Sequence, residues 1–205
     1  MRTENYEITE PKILAVEGKD EQNFFRAFIK SLSLGKIQVM DIAGKTQFKD
    51  RLGALTSTPG FPQVESLGVV RDADDNPIGA FQSVCASLEN AKLPVPDRPW
   101  HFQTGTHKVI VMIMPDGTSD GMIEDLCLKA VQSDIAMPCV REYIECLQRE
   151  GVTISNPRVL SKARVQTFLA SKPETGISLG IAALKGYWPL SDQTFDQVRQ
   201  VLQNL

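Results

Sequence analysis

The sequence predicts an α/β fold: a mostly parallel four-stranded sheet flanked by helices, followed by a mainly helical C-terminal extension. Short apolar runs alternate with segments whose apolar residues recur at helical spacing, and the runs end at glycine or acidic turns. With 205 residues, 42% of them hydrophobic, the chain is large enough to bury a substantial core. Strands that alternate with helices in this way are typical of a parallel sheet covered on both faces.

The first two strand–helix units occupy the N-terminal quarter of the chain. Residues 12–16 (KILAV) form a short apolar strand that ends at Glu17, and residues 20–33 follow with phenylalanines at helical spacing. The second strand is predicted over residues 37–43 (IQVMDIA), and a second helix over residues 46–55. Crossovers between parallel strands in one sheet are expected to be right-handed.

Two further units complete the predicted sheet. Residues 66–74 (SLGVVRDAD) read as a buried strand that ends in an acidic turn, and residues 79–92 as the helix after it. Three prolines make residues 93–100 a loop. The fourth strand is predicted at residues 108–114 (KVIVMIM), and a helix begins near Gly121.

Beyond residue 133 the pattern is mainly helical. Helices are predicted within residues 133–151, 162–172 and 190–205, and there is no linker before them. We therefore predict an α/β domain over residues 1–132 and a helical extension over residues 133–205 that packs on the same core.

Composition limits the function classes. No stretch approaches the roughly 20 apolar residues of a membrane helix and the N-terminus has no signal-peptide pattern, so we expect a cytoplasmic protein without membrane contact. The net charge of −3 argues against binding long duplex nucleic acid through an overall positive field, and any contact with DNA or RNA is expected to be local. Aromatic side chains could stack on bases, but several fall on predicted helix cores and only Trp100, Phe102 and Trp188 have less committed positions, so the residues themselves do not support nucleic-acid recognition.

Cysteine and histidine patterns indicate no metal site of the zinc type. The four cysteines lack C-x-x-C spacing and read as small buried hydrophobes: Cys85, Cys127, Cys139 and Cys146. His101 and His107 flank the loop before the last predicted strand and are interpreted as loop residues.

Acidic residues gather at one end of the predicted strands. They follow strand one (Glu17, Asp20), strand three (Asp72, Asp74, Asp75) and strand four (Asp116, Asp120, Glu124, Asp125). In open parallel sheets the ligand site lies at the carboxyl ends of the strands, so the three groups should converge. Clustered carboxylates repel one another unless a cation lies among them, and oxygen ligands suit Mg²⁺ or Mn²⁺. The sequence therefore predicts a divalent-metal site.

Local structure offers a competing explanation for several of these acids. Asp20 suits the N-cap of the helix it precedes, and Glu124 suits a first helical turn. Asp74 begins a good turn sequence, Asp-Asp-Asn-Pro. Glu17 has no helix terminus to cap, and its functional reading is therefore the stronger one.

Two segments resemble a known family. LAVEGKDEQNFF, followed by LGVVRDADDN, is similar to the Toprim domain of topoisomerases, primases, recombination-mediator proteins and nucleases of the overcoming-lysogenisation-defect type. The signature is a glutamate after strand one and a D-x-D after strand three, and the match covers about residues 12–132. Small, largely uncharacterised stand-alone Toprim-related proteins resemble the chain more closely, through MPDGTSDGMIEDLCL and KARVQTFLAS.

The resemblance implies roles for individual residues. Glu17 would act as general acid/base or organise the metal, and Asp72 and Asp74 would bind Mg²⁺. Asp20 and Glu124 resemble the additional acids of the Toprim nucleases, which support a two-metal site. Paired ions suit phosphoryl transfer, and the expected reaction is phosphodiester cleavage.

Lysines near the predicted site are open to two readings. Lys162 either neutralises a scissile phosphate, as a late lysine does in some of those nucleases, or is a solvated helix-end residue. Gly44-Lys45-Thr46 is not a Walker A motif because Val39 stands where the first glycine is needed, although Lys45 and Thr46 could contact phosphate at a helix N-terminus.

Two other functions stay open on the sequence. A non-catalytic Toprim-like module could use its acidic surface to bind a partner protein or a nucleotide. Alternatively, the acids serve only as turn and cap residues on a generic α/β scaffold.

Overall fold

In the part of the chain that the structure describes, five strands form one sheet, which is mostly parallel. The structure is a computed structural model that describes residues 7–42 and 48–205. The strand order is β2-β1-β3-β5-β4. The strands are β1 (Lys12–Val16), β2 (Ile37–Asp41), β3 (Ser66–Asp72), β4 (Phe102–Thr104) and β5 (Lys108–Met114).

The parallel register brings the carboxyl ends of the central strands to one edge. Lys12 of β1 pairs with Ser66 of β3, and Asp72 at the end of β3 pairs with Met114 at the end of β5. Consequently the residues that directly follow β1, β3 and β5 lie near one another.

The sheet has one more strand than the four predicted. β4 runs antiparallel to β5, with Phe102 opposite Ile110, and a tight turn joins the two strands through the Gly105 N–H and the His107 carbonyl. Three residues are too few to show an alternating pattern, so the strand exists because β5 offers it an edge.

Eight α-helices surround the sheet in the described part of the chain. They are α1 (Lys19–Ser31), α2 (Phe48–Thr56), α3 (Pro77–Asn90), α4 (Ile123–Ala130), α5 (Met137–Arg149), α6 (Pro157–Leu169), α7 (Leu179–Leu184) and α8 (Asp196–Asn204). Short 3-10 turns occur at Phe61–Gln63 and Gln193–Phe195.

Helix α6 begins five residues earlier than the sequence predicts, and α7 was not predicted. The Asn156 side chain caps α6 by accepting a hydrogen bond from the Arg158 N–H at 2.9 Å, and Pro157 occupies the first turn. Six residues of α7 cover less than two turns, which is too short for a periodic pattern. Lys45, Thr46, the end of the second predicted strand and the start of the second predicted helix lie outside the described residues.

Two apolar cores lie on opposite faces of the sheet. One contains Ile13 and Leu67 from the strands, with Leu52 of α2 and Leu88 of α3. The other is built on Leu14, Val70 and Met112, and α1 and the helices from α4 onward cover it. The C-terminal helices therefore pack against the sheet, while the domain boundary at residue 132 stays a prediction.

Only one of the four cysteines is fully buried. Cys127 lies in the core and Cys85 is half-buried, but Cys139 and Cys146 are exposed on α5. The prediction of buried cysteines was wrong for those two because α5 turns them to its outer side, whereas Val140 and Ile144 face inward. Within residues 7–42 and 48–205, no helix is long and apolar enough to cross a membrane.

Candidate metal centre

Acidic side chains meet at the carboxyl edge of the central strands. Glu17 follows β1 directly, and Asp72 is the last residue of β3. Both line one small cleft together with Glu21 and Ile123. The Glu17 side chain is only 13% exposed, so its carboxylate is largely shielded from solvent in this cleft.

Asp72 lies at the centre of this arrangement. Its Oδ1 atom accepts a hydrogen bond of 3.0 Å from the Ile123 N–H at the start of α4. Burial raises the pKa of Asp72 well above its usual range, and the carboxylates of Glu124, Glu17 and Glu21 raise it further. Four acids from three parts of the chain thus act on one another.

Glu21 belongs to the site, although the sequence analysis did not single it out. It lies in the first turn of α1 and its side chain folds back over Gly18, where a Cβ atom would come within 2.8 Å of Glu21 Oε2. Burial raises its pKa, and the neighbouring charge of Asp20 adds to the effect. Its position in the sequence could have indicated this role, because Glu21 lies in the first turn of a helix whose N-cap is Gly18, directly after the predicted site residue Glu17.

Glu124 joins the cluster from α4. It occupies the first turn of that helix, as the dipole argument allowed, and its side chain is 14% exposed. Burial raises its pKa, with Glu21 and Asp125 contributing, while the charge of Lys162 acts in the opposite direction. Lys162 Nζ lies 3.9 Å from Glu124 Oε1, and the lysine side chain is 62% exposed.

Two arginines that the sequence analysis did not consider pair with predicted site acids. Arg71 Nε lies 3.2 Å from Glu17 Oε1, and its Nη1 donates to Ser83 Oγ at 3.0 Å. Arg158 Nη1, at the start of α6, lies 3.3 Å from Asp74 Oδ1. Protein cations therefore offset part of the negative charge at this edge.

Asp74 lines a different cleft from Asp72. Its backbone takes a left-handed conformation with φ of 55° and exchanges two hydrogen bonds with Gly121, of 2.8 and 2.7 Å. The cleft it borders measures about 360 Å³ and is also lined by Asp75, Asp120, Asn156 and Arg158. The turn interpretation of the Asp-Asp-Asn-Pro segment describes this geometry well.

Asp20 is directed toward α7. Its Oδ1 accepts hydrogen bonds from Ser178 Oγ and from the Gly180 N–H, the latter at 2.7 Å. Asp20 lies inside α1, whose N-cap is Gly18 without a side-chain cap, so the idea that it caps its own helix was wrong. It supports the start of another helix instead.

Two further acids at the same edge organise turns. Asp116 accepts from the N–H groups of Thr118 and Ser119 and from both hydroxyls, and these bonds lower its pKa despite some burial. Asp125 accepts from the Met122 N–H at 2.8 Å and from Ser161 Oγ. Their oxygens already have partners within the chain.

The donor set suits a hard cation, although the coordination sphere is not preformed. Within residues 7–42 and 48–205, no three His, Cys, Asp or Glu side chains are arranged to hold a metal ion directly. However, Glu17, Glu21, Asp72 and Glu124 offer only carboxylate oxygens, and several of them raise the pKa of another. Such a set fits Mg²⁺ or Mn²⁺ if Glu124 turns from Lys162 toward the ion, with Glu17 remaining beside it on Arg71.

The fold and the site define an α/β protein with a carboxylate cluster at the edge of a mostly parallel sheet. The chain belongs to the family described as "Protein of unknown function (DUF3226)", whose model matches residues 11–205.

Solved structures of two proteins are similar to this chain. The C-terminal region of the Burkholderia pseudomallei OLD protein is 17% identical, with a TM-score of 0.49, over 96% of this chain and 98% of that one. The C-terminal region of the Xanthomonas campestris pv. campestris OLD protein is 14% identical, with a TM-score of 0.43, over 95% and 96%. No curated protein matches the chain.

Proposed function

We propose that this chain is a Toprim-type enzyme of phosphoryl transfer that depends on Mg²⁺ or Mn²⁺, and that it cleaves nucleic-acid phosphodiester bonds. The main support is the convergence of buried carboxylates at one sheet edge, where burial and the charges of Glu124, Glu17 and Glu21 raise the pKa of Asp72. Buried like charges destabilise a fold unless a cation compensates them. An arrangement that lowers stability at one place is typical of a functional site.

Asp72, Glu21 and Glu124 are the residues that would hold the cation. A bound divalent ion would neutralise charge on a phosphoryl oxygen and lower the pKa of a water molecule. Glu17, kept in place by Arg71 at 3.2 Å, would accept the proton of the attacking water at its carboxylate. Lys162, whose exposed Nζ lies at the rim, would contact the scissile phosphate.

Asp20 and Asp74 keep their predicted metal roles only as predictions. Asp20 Oδ1 already accepts two hydrogen bonds from the start of α7. Asp74 borders the neighbouring cleft beside Arg158. A second metal ion would need Asp20 or Asp74 as a ligand. Binding of the first ion by Asp72, Glu21 and Glu124 does not require that second ion.

Calorimetry tests the metal site directly. We expect saturable binding of Mg²⁺ or Mn²⁺ by the wild type, and at least about ten-fold weaker binding by Asp72→Asn and Glu124→Gln because each removes a charged oxygen ligand. Glu145→Gln is the matched control, since Glu145 is an exposed glutamate on α5. Equal binding in all four proteins would refute the site.

Cleavage assays test the reaction. Purified protein should cut single- or double-stranded DNA or RNA with Mn²⁺ or Mg²⁺. Glu17→Gln and Asp72→Asn should lower the rate by about 10³-fold, whereas Glu145→Gln should not. Metal binding without cleavage of any of these substrates would reject the enzyme and favour a module that binds a partner protein or nucleotide.

A further inference from the structure

A groove lies between β4 and α8, and the metal-site acids take no part in it. Its volume is about 210 Å³. One side is aromatic, the other carries side-chain amides, and the lining residues are Trp100, Phe102, Gln197, Gln200, Val201 and Asn204.

The aromatic side is held rigidly. The Trp100 N–H donates to the Val111 carbonyl at 2.8 Å, and the indole Nε1 donates to the Ile113 carbonyl at 3.2 Å. These bonds satisfy the polar edge of the ring, while the side chain stays half-exposed in the groove. An aromatic ring fixed in this way is a stacking surface that loses little entropy when a flat ligand binds.

The amide side offers neutral donors and acceptors. Gln197, Gln200 and Asn204 are exposed and follow one another at helical spacing on α8. A carboxamide both donates and accepts hydrogen bonds, as the edge of a nucleobase does.

The segment that contributes the aromatic side of the groove carries more basic than acidic side chains, although the chain as a whole is acidic. Residues 97–108 (DRPWHFQTGTHK) contain two basic side chains and two histidines against the single acid Asp97. Lys108 Nζ lies 4.2 Å from the centroid of the Phe102 ring and donates to the Asn204 carbonyl. On α8, the nearest acid, Asp196, is paired with Arg199. This local charge suits an anionic ligand.

The groove also reaches the edge of the sheet that carries the acids. A Cβ atom at Gly117 would come within 2.7 Å of Trp100 Cδ1, so the indole packs against the loop after β5. The last residue of β5, Met114, pairs with Asp72. A ligand that stacks on Trp100 therefore lies beside the loop that leads to the candidate metal centre.

We infer that this groove binds an unpaired nucleobase of single-stranded nucleic acid, with Lys108 contacting an adjacent phosphate. The base stacks on Trp100 beside Phe102, and the amides of α8 bond to its edge. A duplex hides its base faces and does not fit this mode. The inference takes its substrate class from the proposed function and assigns the strand a contact outside the acidic cluster.

Tryptophan fluorescence isolates the groove because the chain has only two tryptophans. Trp188 is 2% exposed and donates to the Leu179 carbonyl, so a ligand cannot stack on it. In EDTA, where no cleavage occurs, a thymidine or uridine oligonucleotide of about 12 residues should quench the emission. Trp100→Phe should abolish the quenching, while anisotropy of a labelled strand shows that binding persists within about three-fold because a ring remains. Absent binding, or quenching that persists in Trp100→Phe, overturns the inference.

Gln200→Glu is an independent test on the opposite side of the groove. The new carboxylate should weaken single-strand binding by about ten-fold, through repulsion of phosphate and loss of a donor. Gln148→Glu on α5 makes the same change in net charge at an exposed site and should alter binding less than two-fold. Equal affinity in the two variants, or equal affinity of the wild type for matched duplex, contradicts base stacking.

The two proposals fail in different ways. Binding in EDTA does not depend on the metal, so the wild type should still bind the strand under conditions in which it does not cleave it. If the protein binds single strands but does not cleave them, only the proposed enzymatic function is rejected. If Gln200→Glu and Trp100→Leu leave metal-dependent cleavage unchanged, only the proposed role of the groove is rejected.

Discussion

Two sets of acids at the same sheet edge differ in what they face. The clustered acids, Glu17, Glu21, Asp72 and Glu124, gather around Asp72. Burial raises the pKa of the last three, and the charges of other cluster members raise it further at Asp72 and Glu124. The anchoring acids, Asp20, Asp116 and Asp125, accept hydrogen bonds from N–H and hydroxyl groups of nearby turns and helices. The same residue types therefore destabilise the fold in one set and stabilise it in the other.

The largest change in the free energy of unfolding is expected where Asp20 contacts the start of α7. A methyl group at Gly180 would lie 2.1 Å from the Asp20 carbonyl oxygen, which is backbone and cannot turn aside. Gly180→Ala should thus lower the free energy of unfolding by about 3 kcal/mol or more. A Cβ atom at Gly53, in α2, meets nothing within 4 Å, and Gly53→Ala should keep or raise stability by up to about 1 kcal/mol. Thermal unfolding followed by circular dichroism compares them, and equal melting temperatures would contradict the packing of α1 on α7.

Opposite changes in melting temperature should distinguish the two sets. Asp72→Asn keeps the acceptor for the Ile123 N–H but removes a buried negative charge, so in EDTA it should raise the melting temperature by a few degrees. Asp116→Asn removes a charge that four hydrogen bonds favour, and it should lower the melting temperature. Calorimetric scans of both variants against the wild type check the signs. A loss of stability in Asp72→Asn would mean that its charge is compensated within the chain.

The pH dependence of stability follows from the same comparison. The folded chain binds protons more tightly than the unfolded chain at Glu21, Asp72 and Glu124, because their pKa values are raised. In EDTA these groups should therefore increase the free energy of unfolding as pH falls from about 7 toward about 5. Asp116 has a lowered pKa, so its ionised carboxylate stabilises the folded state, and this stabilisation is lost as the pH falls further. Urea midpoints across this range should vary less in Asp72→Asn than in the wild type, and parallel curves would argue against the cluster.

Lys162 should give the smallest change in stability. Its ion pair with Glu124 spans 3.9 Å and the side chain is largely exposed, so Lys162→Met should alter the free energy of unfolding by less than about 0.5 kcal/mol. If Lys162 contacts the scissile phosphate, the cleavage rate should nevertheless fall by at least about ten-fold. Lys129→Met, at an exposed position late in α4, is the control for both measurements. Equal cleavage rates in Lys162→Met and Lys129→Met would mean that Lys162 is a solvated surface lysine without a role in the reaction.

Much of the scaffold could be predicted because its signals are local. The apolar runs of β1, β3 and β5 are continuous since helices cover both faces, and acidic or glycine turns mark their ends. β4 and α7 could not be predicted, because three and six residues show no period and both depend on neighbours distant in sequence.

The candidate site was predicted in part for a related reason. Strand order alone indicated that Glu17, Asp72 and Glu124 would approach one another, and the structure brings them together. Glu21, Arg71 and Arg158 were missed, because a side chain's partner depends on rotamers and on helices packed from elsewhere. Asp20 shows the same limit, since its partners Ser178 and Gly180 are distant in sequence.

The sequence by itself determined the α/β class, the central strands and the edge at which the acids gather, since periodicity and strand ends are local properties. Only the tertiary structure decided which acids face one another and which anchor a turn or helix. Hydrogen-bond partners and burial fix the pKa of a carboxylate, and both depend on how α1, α4, α6 and α7 pack around the sheet.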